Sequence, residues 1–335
     1  MYIKPPTPVG AIRFNTDSSK LEYYDGNQWV NVTSDSPEQN TGGTRGVLFG
    51  GGDPGRDDVI QYIQIETTGD SIDFGNLAAG NVWGSGAVGS RTRGVFWAGE
   101  NQYTKLDFVT FASTGNATSF GTSGNSNNGG SGVNNSTRGV FGVAGSNIME
   151  YITIASLGNT VDFGDSTSTA STRTAPMNSP TRGVLAGGYG PSPYPHPGII
   201  EYITTSTLGN AADFGDLITS ISGASGASNA VRGVVMNGYT FPSPATVFYN
   251  NIEYITMATL GNAIDFGDMT DAVSQGSGAS SPTRAVSMGG TKAPGDVDVI
   301  EYIQIMSTGN AVDFGNLLSA RRGGSGASNG NGGLG

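Results

Sequence analysis

Residues 137–164 read Thr137-Arg138-Gly139-Val140-Phe141-Gly142-Val143, then Ile148-Met149-Glu150-Tyr151-Ile152-Thr153-Ile154, a Leu157-Gly158-Asn159 break, and Val161-Asp162-Phe163-Gly164. Each run has strand length, and the second alternates in the way a half-buried strand does. The same grammar returns six times. Its first run is marked by Arg45, Arg93, Arg138, Arg182, Arg232 and Arg284, at steps of 48, 45, 44, 50 and 52 residues. Its last recurs in phase as Asp73-Phe74-Gly75, Ser119-Phe120-Gly121, Asp162-Phe163-Gly164, Asp213-Phe214-Gly215, Asp265-Phe266-Gly267 and Asp313-Phe314-Gly315. The break recurs as Gly69-Asp70, Gly115-Asn116, Gly158-Asn159, Gly209-Asn210, Gly261-Asn262 and Gly309-Asn310, pairs that suit tight hairpins. A period of this size is that of a propeller blade.

A fourth strand per unit is supplied by the small-residue segments 84–88, 130–134, 223–228 and 276–280. Small side chains suit the crowded strand nearest a propeller axis. Naming the strands a (small residues), b (Arg-Gly-Val), c (Glu-Tyr-Ile) and d (Asp-Phe-Gly), the repeats start at b and end on an a-like segment, Gly324-Ser325-Gly326-Ala327-Ser328. Pairing of that segment with residues 44–49 completes the first unit. The expected fold is all-β: a six-bladed β-propeller with four-stranded blades, closed by the C-terminal strand, over residues 41–335, preceded by a small N-terminal β-meander within residues 1–40.

Composition agrees. Among 335 residues there are 55 Gly, 9% aromatics and 13% charged residues, a mixture rich in turns and poor in helix formers. A net charge of −11 opposes binding to phosphate backbones, so nucleic acid is not an expected partner. With no cysteine there are no disulfides, thiolate nucleophiles or zinc–thiolate sites. The start, Met1 to Gly10, has no apolar core behind a basic end, and no run approaches 18 apolar residues, so neither a leader nor a membrane-inserted segment is expected.

The chemistry-bearing residues read as structural. A kinase uses one Asp-Phe-Gly beside a catalytic loop, whereas five copies at blade spacing do one structural task five times. The arginines Arg45, Arg93, Arg138, Arg182, Arg232 and Arg284 and the aspartates Asp73, Asp162, Asp213, Asp265 and Asp313 occur once per unit, which suggests an ion-pair or hydrogen-bond bracket. On this reading the loss of Asp213 lowers the melting temperature. Gln61, Asp107, Glu150, Glu201, Glu253 and Glu301 stand directly before the aromatic residue of strand c. They are expected to pair with the arginines or sit at a solvated strand end, although a carboxylate ring is also a possible calcium site. His196 is the only histidine and lies between Pro195 and Pro197, so no His-metal cluster or Ser-His-Asp set is available. No catalytic residue, cofactor or metal is expected.

The b–c connections differ most between units, and antiparallel strand order places them on one face with the d–a loops. Repeat proteins recognise partners through such variable loops. The candidate ligand-binding residues are Tyr189, Tyr194 and His196 in one connection and Tyr239, Phe241, Phe248 and Tyr249 in another, since aromatic rings with polar edges suit sugar or protein contact.

Hydrophobic strands ending in glycine pairs, as in Leu48-Phe49-Gly50-Gly51, Leu185-Ala186-Gly187-Gly188 and Ser287-Met288-Gly289-Gly290, resemble kelch-type propeller repeats. Residues 10–32 form a different pattern, a three-stranded meander through Ile12-Arg13-Phe14-Asn15, Leu21-Glu22-Tyr23-Tyr24 and Trp29-Val30-Asn31-Val32. So small a sheet needs a partner surface, and Phe14, Tyr23 and Trp29 are the expected anchoring residues. This segment resembles a module of bacteriophage tail-fibre and other virion appendage proteins. The Glu-Tyr-Ile-Thr-Ile, Gly-Asn, Asp-Phe-Gly repeats look like those of marine, particularly cyanobacterial, phage proteins. The resemblance implies a non-enzymatic virion structural protein. Its N-terminal module would hold other tail or capsid proteins, its propeller would meet a host-surface glycan or protein, and it would assemble as a homo-oligomer such as a trimer. The alternative is an architectural capsid-decoration or tail-collar part that contacts virion proteins alone.

Overall fold

The computed structural model describes residues 7–16, 20–31, 44–52, 57–78, 80, 83–99, 104–169, 172–190, 197–240 and 246–334. The chain divides into two compact units, Met1–Thr41 and Gly42–Gly335. The first holds a three-stranded antiparallel meander of Ile12–Asn15, Lys20–Tyr24 and Trp29–Asn31. Its register pairs Ile12 with Tyr23 and Phe14 with Leu21, which puts these four apolar side chains on one face. That face is open: Ile12 is 68% exposed and Phe14 62%. Trp29 pairs with Tyr24 instead, on the opposite face, where the Arg13 guanidinium lies 4.2 Å from its ring centre and bonds Glu22 at 2.8 Å. Of the expected anchors, Phe14 and Tyr23 share the open face, and Trp29 lies on the opposite, internally bonded one.

The second unit is all-β, with six four-stranded antiparallel sheets in a propeller-like arrangement. In a–b–c–d order, the first sheet is Ser325–Ser328, Arg45–Phe49, Val59–Gln64 and Ile72–Asn76. The second is Gly84–Gly89, Arg93–Ala98, Lys105–Thr110 and Thr118–Thr122, and the third Gly132–Asn134, Arg138–Gly142, Ile148–Thr153 and Val161–Asp165. The fourth is Ala175–Asn178, Arg182–Ala186, Ile199–Thr204 and Ala212–Asp216. The fifth is Ser225–Ser228, Arg232–Thr240, Val247–Thr256 and Ile264–Asp268, and the sixth Ser277–Ser280, Arg284–Lys292, Gly295–Gln304 and Val312–Asn316. The inner strand Ala175–Asn178 carries Pro176, which fits an edge position, and has none of the glycine that marks its sister strands in the sequence. Apolar clusters fill the gaps between neighbouring sheets, as where Phe49 stacks on Phe96 and Trp97 meets Phe141 edge-on.

Strand d is bulged in every sheet. In the first, Ile60 pairs with Gly75 and Gln61 with Asp73, so Phe74 is the extra residue and turns inward. There it meets Tyr62 edge-on, and each sheet repeats this aromatic pair at 5.9–6.2 Å. The b-strand arginine lies over the c-strand ring of the same pair, 4.2–4.7 Å from its centre. Its Nη1 then donates to a carbonyl of the next sheet: Arg45 to Phe111, Arg93 to Ile154, Arg138 to Thr205, Arg182 to Met257, Arg232 to Ile305 and Arg284 to Ile65, at 2.6–3.1 Å. The expected Arg–Asp bracket is corrected accordingly. The bulge that buries the phenylalanine leaves Asp73, Asp162, Asp213, Asp265 and Asp313 exposed, and no ion pair among the described residues joins them to the arginines.

A second link uses the Gly-Asn segment, which is the tip of a longer c–d loop and not a two-residue hairpin. The Gly115 N–H donates to Phe74 O at 2.7 Å, and the Asn116 Oδ1 accepts from the Asn76 N–H at 3.0 Å. The same pair of bonds joins every junction, including Gly69 to Phe314 and Asp70 to Asn316 between the first and sixth sheets. The approach is backbone to backbone. A Cβ on Gly267 (φ +146°) would fall 2.5 Å from Gly309 O. The third link is the acidic position of strand c, which is buried and bonded to the preceding sheet. Glu201 accepts from Ser166 Oγ at 2.6 Å and from the Thr167 N–H at 2.8 Å; Glu253 accepts from the N–H groups of Ile218 and Thr219. The expectation that these carboxylates meet the arginines or solvent is thus corrected, because burial requires donors and the neighbouring loop supplies them.

One buried cation departs from the repeat. Arg321 is 3% exposed where the matching d–a loop between the fourth and fifth sheets places Ile221, and burial pushes its guanidinium below the usual arginine range although Asp57 bonds it at 3.0 Å. Removing one member of a buried pair strands the other, whereas replacing the cation with a hydrocarbon is often neutral. Asp57→Ala is expected to cost about 1–3 kcal/mol, discounted for the partial exposure of Asp57, and Arg321→Ile to leave stability unchanged or raised; equal losses in chemical denaturation would contradict this. In the same assay Arg182→Ala is expected to cost about 1–3 kcal/mol, while Asp213→Ala stays within about 0.5 kcal/mol of the parent.

Candidate ligand-binding basin

The six inner strands stand side by side, each neighbouring the next, with Ser325–Ser328 beside Gly84–Gly89. Their glycines allow main chains to touch: a Cβ on Gly226 would strike Pro176 O, one on Gly278 would strike Gly226 O, and one on Gly326 would strike Gly278 O. Hydroxyls step round between the strands, Ser328 Oγ donating to Ser280 O at 2.6 Å, Ser280 Oγ to Ser228 O at 2.8 Å and Ser228 Oγ to Asn178 O at 2.8 Å. Where these strands begin, on the face of the b–c and d–a loops, they line an open-mouthed cavity.

The rim of the cavity is a belt of backbone bonds. The Arg173 N–H donates to Gly129 O, Gly223 N–H to Arg173 O, Gln275 N–H to Gly223 O and Gly323 N–H to Gln275 O, at 2.6–2.9 Å. Each of these residues is left-handed, including Arg173 (φ 56°) and Gln275 (φ 58°), for which that conformation is uncommon. Glycine and side chain alternate around the rim. Arg173 lies over Gly129, Gln275 over Gly223, and the Trp83 indole occupies the space a Cβ on Gly323 would need. An indole, a guanidinium and a carboxamide thus stand on alternate sheets around one cavity.

Their electrostatic settings differ. Arg322 lies 5.3 Å from the Trp83 ring centre, and its charge is met by Asp296 at 3.1 Å. Arg173 faces the Tyr239 hydroxyl at 3.4 Å, and no carboxylate lies among the described residues lining the cavity. In a chain of net charge −11, this leaves the basin with a positive centre. Below it, residues 329–334 fill the axis. Asn331 Nδ2 donates to Ser328 O at 3.0 Å and Asn134 Nδ2 to Asn331 Oδ1 at 3.2 Å, and Gly332–Leu334 form a buried 3₁₀ turn. The basin is therefore blind, not a channel.

The described aromatic residues read from the sequence have different roles. Tyr239 is corrected from a loop ligand contact to a buried strand residue, 2% exposed, whose ring packs on Gly223 and whose hydroxyl reaches Arg173. Phe248 and Tyr249 are corrected likewise to strand c of the fifth sheet, because the 232–256 hairpin, like 284–304 in the sixth sheet, extends beyond those of the other four. Tyr189 bridges Thr172, next to Arg173. Tyr194, His196 and Phe241 lie outside the described residues. Trp83, Arg173 and Gln275 escaped sequence reasoning, yet a signal was present: just before the small-residue strand, Arg173 and Gln275 stand where Gly129, Gly223 and Gly323 stand in sister repeats. The acidic c-strand positions are one per sheet at the junctions, and no three acids or histidines gather among the described residues.

Compared with known proteins, the chain matches no protein-family model, and no curated protein is significantly similar to it. A Cβ on Gly332 would strike Asn178 O and Asn229 O, so the plug admits no larger residue there. Gly332→Val is expected to lower the melting temperature by roughly 4–10 °C, from about 2–3 kcal/mol of overpacking; an unchanged melt would show that the plug is not packed as described.

Proposed function

We propose that the protein is a non-enzymatic recognition component of a virion appendage, in which a six-bladed propeller, closed by Ser325–Ser328, offers its variable face to a ligand on the host surface. One observation carries this reading: the differences among six otherwise matched sheets gather on one face. There the b–c hairpins differ in length and the rim residues in chemistry, around a blind cavity, while the opposite end of the axis is filled by residues 329–334. Such concentration of variability on a fixed framework is how repeat folds recognise partners. Closure is supported by the pairing of Ser325–Ser328 with Arg45–Phe49 and by the bonds from the sixth sheet's Arg284 and Phe314 to the first sheet's Ile65 and Gly69.

The meander's open face of Ile12, Phe14, Leu21 and Tyr23 suits attachment to another tail or capsid protein or to copies of itself. The same feature favours the second reading, an architectural component that meets virion proteins alone. The two readings separate on cells. Fluorescently labelled protein is expected to bind candidate host cells saturably, and to bind less when residues 241–245 are replaced by a two-residue turn. Absence of binding by folded protein across all hosts tested would leave the architectural reading.

A further inference from the structure

We propose that the axial basin binds the end of a carboxylate-bearing saccharide, with the carboxylate on Arg173 and the sugar ring against Trp83. This rests on the host-recognition reading and names its ligand class. The guanidinium is the only charged group among the described lining residues, and its one bond within hydrogen-bonding distance is a long one to a phenol, so it has donors to offer in the planar fork that matches a carboxylate. The backbone at Arg173 adopts a left-handed conformation that glycine fills on sister sheets, and an arginine held there puts a cation where the framework needs none.

The rest of the lining selects a sugar over a peptide acid. Apart from Trp83 its apolar side chains are small, Ala87, Ala224 and Pro176, and offer no pocket for a peptide side chain. The wall consists largely of glycine and serine, whose main-chain groups and hydroxyls match a ring carrying many hydroxyls. The indole supplies the flat apolar surface on which the C–H face of a sugar desolvates. Gln275 adds a carboxamide to the lining, a further polar side chain facing the same cavity. Because the axis is filled below, the site takes a chain terminus or side branch and not a passing chain.

The test uses the full chain and a matched pair of probes, methyl β-D-glucuronide and methyl β-D-glucoside, which differ in a carboxylate against a hydroxymethyl group. Binding is followed by ligand-observed NMR and Trp fluorescence. The glucuronide is expected to bind roughly tenfold or more tightly than the glucoside and to weaken as salt rises. Arg173→Gly removes the cation while restoring the residue that sister sheets carry, so its melting temperature should equal or exceed the parent's while glucuronide binding is lost. Equal affinity for the two probes, no glucuronide binding by the parent, or undiminished binding by folded Arg173→Gly would each overturn the proposal. Host-cell binding measured in parallel separates the two readings. If Arg173→Gly binds cells as the parent does while the shortened 241–245 variant does not, recognition stands and the axial site falls; glucuronide binding without any cell binding removes the host reading and keeps the site.

Discussion

Everything in the second unit hangs on the approach of two main chains at each sheet junction. The glycine of Asp-Phe-Gly lies against the carbonyl of the next sheet's turn glycine, a spacing that no side chain permits. At that distance the turn's N–H and the following Asx oxygen complete hydrogen bonds with strand d, so the outermost strand of each sheet is capped by its neighbour. Capped edges offer no template for intermolecular pairing, which matters in an all-β unit. The same spacing sets how far the sheets splay, and hence how closely the inner strands crowd. Their glycine-to-carbonyl contacts are the inner counterpart of the outer ones.

The junctions rely on main-chain carbonyls, main-chain amides and a few repeated side chains. Each arginine ends on a carbonyl, each c-strand carboxylate on amides and hydroxyls of the neighbouring loop. None of these bonds involves the rim side chains. The framework therefore constrains the identity of a rim residue only through its backbone angle, and glycine, arginine and glutamine occupy equivalent places. The Tyr239 ring shows how a lengthened hairpin can still serve the centre, since it packs on Gly223 and meets Arg173.

The repeat, the strand order and the pairing of residues 325–328 with 45–49 were legible because each depends on periodic spacing, which survives without knowing a single contact. Contacts were less so. The aspartate of Asp-Phe-Gly looked like the partner of the arginine because both recur in phase, but a one-residue bulge turns it to solvent and buries the phenylalanine instead. Gly-Asn looked like a hairpin turn because such pairs tolerate positive φ; its actual task, reaching the previous sheet, is non-local. The basin was invisible for the same reason. Trp83, Arg173 and Gln275 lie on three different sheets, and only the fold brings them together. Tyr239 could be named as important from its neighbourhood, but not its burial.

The pairing of Ser325–Ser328 with Arg45–Phe49 has a bearing on biosynthesis. The Arg45 N–H donates to Asn329 Oδ1, a separation of 284 residues. At ribosomal speeds of about 5–20 residues per second, strand Arg45–Phe49 waits on the order of 15–60 s for its inner neighbour. During that interval Val47, Leu48 and Phe49, all buried in the finished protein, sit on an open edge. The nascent chain exposes this strand early and shields it only once residues 325–328 are made, which leaves a long window for mispairing between neighbouring chains on one polysome.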